Sequence, residues 1–361
     1  MSETGSQPLN GSLFEAGNGS APAEKTFFIR DLEAGQAVES IFLVSQRSLH
    51  KKKNGEDFLR LTLRDCTGIL PAVCWENATG LHELASPGAA VRAGGRYEVS
   101  DRWGPQLTVE TLTAAGETEY RLTDLTDGPS FDVDQMEQDL RSLIETVRNP
   151  YLRALLDRLF GESSETWQRF RSAPAAKFYH QAYSFGLLEH TLSVGQGVSA
   201  ISACFPGVDR DVAVTGALIH DIGKIEAYGQ EATAIDLTDL GKLHGEIPLG
   251  YYLVRTTIER LDGFPPALAR AVLHILLSHH GTLENGSPVT PATREATIVH
   301  GIDNLGGKLG SFDRIEKGLQ EGESWSAYDR ALSGSAYFPR LNGSAPEPVP
   351  TPQPLTAASG D

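Results

Sequence analysis

The sequence is short of cysteine, of basic charge and of long apolar runs, and each shortage removes a class of protein. Cys66, Cys74 and Cys204 are the only cysteines in 361 residues and form no Cys-x-x-Cys pair. That leaves no disulfide framework and no cysteine zinc site, and the three read as small structural hydrophobes. No apolar run approaches the roughly 20 residues a membrane helix needs. The N-terminus also lacks a basic-then-apolar signal pattern, so a cytoplasmic chain with no membrane partner is expected. Thirty-one basic against 47 acidic side chains give a net charge of −16, which argues against a protein that simply coats nucleic acid. The deficit is uneven. Residues 25–115 carry eleven basic and eleven acidic side chains, and this neutral stretch is where a polyanion would dock.

What is present suits a globular protein, with 40% hydrophobic and 22% charged residues and enough length for two folded units. Residues 1–24 and the tail 336–361, with its PEPVPTPQP run, lack hydrophobic periodicity and are expected to be disordered. Between Phe27 and Thr113 lie short strand-like runs: SIFLVSQRSL, KKKNGEDF, FLRLTLRD, CTGILPAVCW, GGRYEVSDRWG and QLTVETL. Asn54-Gly55 is a strong hairpin signal between two of them. About five strands in about 90 residues predict a small Greek-key barrel of the OB type over residues 25–118. After a linker at 119–131, the periodicity becomes helical over most of residues 132–335. Leu187, Val194, Val198, Ile201 and Phe205 mark one buried helix face, and Pro150, Pro174, Pro206 and Pro265-Pro266 fall at helix boundaries. The expected architecture is therefore multidomain, an N-terminal OB-type β-barrel followed by an all-α helical bundle, with no internal repeat.

Eight of the ten histidines lie in the helical half: His180, His190, His220, His244, His274, His279, His280 and His300. His190 falls on the apolar stripe and points into the bundle, either as a hydrogen-bonded core residue or as a ligand. The run ALIHDIGK (217–224) ends an apolar helix in adjacent His220 and Asp221. A buried carboxylate there needs a partner or a cation, and one nitrogen and one oxygen ligand suit Mn, Fe, Ni or Zn. The plainer reading is a helix C-cap, with Gly223 as terminator and Lys224 complementing the dipole, and both can hold together. LLSHHG (276–281) ends another apolar helix in paired histidines, and EATIVHGID (295–303) places Asp303 on the face of Val299 and His300. Four such groups at apolar helix positions are improbable as separate core accidents.

In this order, GLLEHTLSV, LIHDIGK, LSHHG, NGSP and EATIVHGID resemble the HD domain of the YhaM-type 3′-to-5′ exoribonucleases, in which an OB-fold domain also precedes the HD domain. The resemblance spans roughly Phe27 to Asp313. It implies that His190, His220, Asp221 and Asp303 hold a divalent ion, often manganese, with Mg, Co, Fe or Ni as alternatives. That ion would activate water, with Asp221 also accepting a proton and Lys224 facing the phosphate. The implied substrate is single-stranded RNA, with single-stranded DNA as a further candidate, cut to nucleoside monophosphates. Self-association into a homo-oligomer stays open. In family members with two ions, the position of Glu246 is a histidine and, with His279 and His280, resembles the ligands of the second ion. Here the carboxylate replaces it, His244 does, or the second ion is weaker, so that one or two ions bind. A second departure is Gln181 after His180, in a run with Lys177 where the family carries paired histidines; Lys177 and His180 are candidates to face substrate.

In the barrel half, Lys51, Lys52, Lys53 and Arg60 could follow a nucleic-acid backbone while Phe58, Trp75 and Trp103 stack bases. The lysine run also reads as a solvated hairpin tip. Core packing is the first role for Phe58 and Trp75, because strand alternation does not say which face is inside. Trp103, in an Asp-Arg-Trp-Gly turn, is the best exposed stacking candidate. Two competing functions are an HD phosphohydrolase of nucleotides or cyclic nucleotides, and an inactive nucleic-acid-binding protein.

Overall fold

A computed structural model describes residues 25, 27–100, 104–126, 128–176, 181–229, 235–317, 319 and 322–339. Residues 1–24, the tail from 340 onward, Trp103, Lys177 and His180 lie outside the described residues.

Strands β1 (Ala37–Lys51), β2 (Asp57–Asp65), β3 (Gly68–Cys74), β4 (Ala90–Ser100) and β5 (Gly104–Ala114) close into a barrel in the order β1-β2-β3-β5-β4. β1 pairs antiparallel with β2 and β4, and β3 runs parallel to β5, which is the OB strand order. The KKKNGEDF run is not a strand of its own. β1 continues to Lys51, Gly55 turns the chain at φ +91, and the Lys52 amide donates to Glu56 O at 2.7 Å. On β2, Leu59, Leu61 and Leu63 point inward while Phe58, Arg60 and Thr62 point out. Helix α1 (Ala78–Leu84) lies between β3 and β4, with Ala78 buried in the barrel core. Helix α2 (Leu122–Leu125) falls in the expected linker but belongs to the barrel: Leu125 is buried against Ile41 and Leu43, and Asp124 O accepts from the Cys66 amide at 3.2 Å.

The second part is helical: α3 (Val133–Glu145), α4 (Pro150–Phe160), α5 (Glu165–Ser172), α6 (Gly186–Ser202), α7 (Arg210–Ile219), α8 (Lys224–Ala227), α9 (Asp239–His244), α10 (Glu246–Glu259), α11 (Pro266–Ser278) and α12 (Arg294–Lys317). Pro150 and Pro266 begin α4 and α11, where the missing N–H costs nothing. α6 is the central helix, packed on α3, α5, α7 and α12, with Leu187, Leu188 and Val198 in the core. It ends at Ser202, so Phe205 does not continue the buried stripe; it is 54% exposed beside Pro206. Cys204 is exposed as well, unlike buried Cys74, and none of the three is in a disulfide. No described helix is long and apolar enough to cross a membrane.

Candidate metal centre

Three helices deliver the central groups. His190 sits within α6, Asp303 within α12, and His220 is the C-cap of α7, followed by Asp221 in the turn to α8. α11 repeats the device of α7, with His279 at its C-cap and His280 next. At each C-cap the imidazole donates from Nδ1 to a carbonyl three residues back, His220 to Ala217 at 2.7 Å and His279 to Leu276 at 2.8 Å. Occupying Nδ1 in this way aims Nε2 away from the helix and into the cluster.

The donor atoms converge. His190 Nε2 lies 3.2 Å from Asp221 Oδ2, 3.2 Å from Asp303 Oδ1 and 3.2 Å from His220 Nε2; His220 Nε2 lies 3.4 Å from Asp221 Oδ2 and 3.8 Å from Asp303 Oδ1. Atoms that share one small divalent ion stand roughly 3.0–3.5 Å apart. The other oxygen of Asp221 faces a second group: Oδ1 is 3.5 Å from His279 Nε2, and Asp221, His279 and His280 form a second set of donors with ligand spacing. Asp221 thus stands between the two sets, one oxygen toward each. Glu246, the first residue of α10, reaches His280 at 3.7 Å, whereas His244 is exposed at the end of α9; the carboxylate and not the earlier histidine occupies the vicinity of the second set.

The donor set fits a metal on electrostatic grounds. Asp221 Oδ1 and His279 Nε2 are buried without a hydrogen-bond partner, a cost a cation between them would remove. Burial works against ionising Asp221 and Asp303, yet Lys224 and His220 beside the first, and His190 and His220 beside the second, hold both carboxyls well below their usual range. Burial likewise opposes a charge on His190, but its bonds with Asp221 and Asp303 carry it up to about 9. Burial, then the neighbouring His279, depresses His280 to about 4 and keeps it neutral. Without metal, protons on imidazole therefore neutralise the carboxylates in the place where a cation would do so.

Lys224 is not a dipole complement on α7. It opens α8 and binds Asp221 Oδ2 at 2.6 Å, with its side chain 13% exposed. Nor is Gly223 a left-handed terminator: its φ is −67. What it supplies is an absent side chain, since a Cβ there would overlap Glu246 O and crowd the Gly250 amide. Gly223→Ala is therefore expected to push α10, and Glu246 with it, away from the HD turn, lowering stability by about 1–3 kcal/mol in denaturant melts.

One contributor escaped the sequence reading. His300 donates from Nδ1 to His279 O at 2.7 Å, and its ring packs where a Cβ on Gly281 (φ +84) would be. It ties the turn bearing the paired histidines to α12, which bears Asp303. The Gly after His-His and the i, i+3 spacing of His300 and Asp303 were its only sequence signals.

On the barrel, Phe58 and Trp75 are not core residues. Phe58 is half-buried on the outer face of β2, Trp75 follows β3 and is 44% exposed, and the rings stack at 4.9 Å and 26°. His50, opposite Phe58 on β1, extends the row at 5.4 Å, and Arg60 lies 5.9 Å over the Phe58 ring. At the hairpin tip, Lys51 pairs with Asp57 and Lys52 with Glu56, each at 3.1 Å, while Lys53 is exposed.

Comparison with known proteins agrees with this geometry. A family model described as the HD domain matches residues 187–306, which contain every donor above. A curated relative, the 3′-5′ exoribonuclease YhaM of Geobacillus sp. (strain WCH70), is 29% identical over 293 residues, covering 81% of this chain and 88% of that protein. A solved structure of the second OB-fold domain of replication protein A from Methanococcus maripaludis aligns with 24% of this chain and 92% of its own, at 16% identity and a TM-score of 0.21. The barrel assignment rests on strand order and not on that score.

Proposed function

We propose that this chain, a relative of the YhaM-type 3′-to-5′ exoribonucleases with their OB barrel and HD domain in the same order, is a metal-dependent exonuclease that cuts single-stranded RNA from its 3′ end. The observation that carries the reading is the convergence of His190, His220, Asp221 and Asp303 at ligand spacing, in a chain that also bears an exposed aromatic row on an OB barrel. The barrel, with α2 packed on it, supplies a polymer grip that a mononucleotide hydrolase would not need, and the helical part supplies the chemistry.

His190, His220, Asp221 and Asp303 would hold the first divalent ion; His279, His280 and Glu246, with Asp221 shared, would hold a second. Imidazole and carboxylate donors without thiolate suit Mn, with Mg, Co, Fe or Ni as alternatives. A divalent ion supplies Lewis-acid chemistry, polarising water and the phosphoryl group. The chain's own part is to orient and to move protons. Asp221 accepts a proton or a hydrogen bond at the site, and Lys224 Nζ, kept charged by Asp221, puts positive charge where phosphate oxygens gain charge. Three cysteines outside any disulfide fit a reducing, cytoplasmic compartment.

The test is incubation with 5′-labelled single-stranded RNA and DNA, and with free and cyclic nucleotides, under Mn, Mg, Co or chelator. A ladder shrinking from the 3′ end with release of nucleoside monophosphates is expected; nucleotide turnover alone, or binding without products, would overturn the reading. For the grip, Trp75→Ala and Phe58→Ala are each expected to weaken RNA affinity by about 1–3 kcal/mol, read by fluorescence anisotropy under chelator. Hydrolysis of a dinucleotide should be unchanged.

A further inference from the structure

Glu189 precedes the metal-facing His190, is 5% exposed, and takes no part in the cluster. Its carboxylate joins two segments. Oε1 accepts from the Ser130 amide at 3.1 Å and Oε2 accepts from Tyr183 Oη at 2.5 Å. Ser130 is the end of the connection from the barrel, two residues before Asp132 caps α3. Tyr183 lies in the entry to α6, where Gln181 (φ +60) and Phe185 (φ +69) both adopt left-handed backbone that non-glycine residues rarely accept. Such strain persists only where the surroundings enforce it, and the Tyr183 bond to buried Glu189 is one such restraint. Phe131, next to Ser130, is 48% exposed but lines a cleft with Met136, Glu189 and Leu192, so this end of the connection rests against α3 and α6.

We propose that Glu189 is a positioning residue that locks the barrel's connection to the entry of the catalytic helix, and so fixes the path along which a strand held by the barrel reaches the metal centre. The inference rests on the exoribonuclease reading. At the barrel end the connection is already fixed by Leu125, buried against Ile41 and Leu43. With Ser130 fixed as well, only five residue steps separate the anchors, at most about 18 Å of chain. A carboxylate suits the task because it accepts from both donors at once, and burial makes the Tyr183 bond the costlier of the two to break. Glutamine keeps one acceptor oxygen for the Ser130 amide and can meet Tyr183 Oη only by donating an uncharged amide N–H; alanine serves neither.

The variants are Glu189→Ala, Glu189→Gln and Tyr183→Phe, compared with wild type on a 20-nucleotide RNA and on the p-nitrophenyl ester of thymidine 5′-phosphate, which is too small to touch the barrel. Glu189→Ala and Tyr183→Phe are expected to raise KM for RNA about tenfold, with kcat and turnover of the small ester within about twofold and manganese affinity unchanged. Glu189→Gln should recover part of the loss. Energy transfer between dyes at exposed Cys204 and at a cysteine replacing exposed Glu76 should show a broader distance distribution in Glu189→Ala. Equal losses on both substrates would show a merely structural role and overturn the proposal, as would RNA kinetics and a distance distribution that match wild type. If wild type itself leaves RNA intact, the exoribonuclease reading fails, and the dye distances still decide whether Glu189 is the lock.

Discussion

Asp221→Ala should abolish metal-dependent hydrolysis, and His220→Ala should come close, while both proteins stay folded. Asp221 stands between the two donor sets, with Oδ2 3.2 Å from His190 and Oδ1 3.5 Å from His279, so its loss removes an oxygen from each. His220 serves only the first set. Outer partners of metal sites already contribute about 10–100-fold in affinity or activity, so loss of an inner donor should exceed a hundredfold, and loss of the shared one should leave no measurable turnover. Stability is expected to respond differently. Removing Asp221 frees Lys224 from a buried partner 2.6 Å away, which destabilises, but it also removes an orphaned buried oxygen, which offsets part of that cost. Manganese titration, activity and a denaturant melt on the same preparations separate these effects. Retained turnover in Asp221→Ala would overturn the site assignment.

Metal uptake should be steeply pH-dependent, because in the metal-free protein a proton occupies the place of the ion. His190 is carried up to about 9, and it can ligate only when neutral. Below that value each ion bound first displaces a proton, so apparent affinity should rise about tenfold per pH unit from neutrality to about pH 9 and flatten beyond it. Calorimetry in two buffers of different ionisation enthalpy should show about one proton released per first ion at neutral pH. The metal-free fold behaves in the opposite sense. The histidine is raised above its unfolded value of 6.5, so its stabilising contribution is complete below that pH and is lost as pH climbs through about 9. Metal-free melting temperature should fall across this window while the stabilisation from added manganese grows. A metal affinity flat between pH 6.5 and 8.5 would mean that His190 is neutral in the resting site.

Much of this was legible in the residue pattern. Alternation in FLRLTLRD and the Asn54-Gly55 turn carried the first hairpin of the barrel, and the histidines and aspartates within and at the ends of apolar helical runs pointed to the donor cluster, because a buried charge without a partner is too costly to be incidental. Where the reading went astray, the missing term was a neighbour distant in sequence. Phe58 and Trp75 were equally good core residues by alternation; only closure of the barrel decided that Leu59, Leu61 and Leu63 fill the inside and leave those two rings stacked outside. Cys204 and Phe205 look buried by hydrophobicity, but α6 stops at Ser202 before either is reached.

Composition and motif spacing by themselves determined the two-part architecture and which residue types gather in the helical half, since those depend on local periodicity and on the cost of burying charge. Tertiary structure alone decided how the donors are shared. Nothing in HDIGK says that Asp221 turns one oxygen to each set, that Gly223 is there to admit the backbone of α10, that Glu246 and not His244 arrives beside His280, or that Glu189 joins the barrel's connection to α6. Each depends on two chain segments brought within a few ångströms by packing, a distance on which local sequence has no purchase.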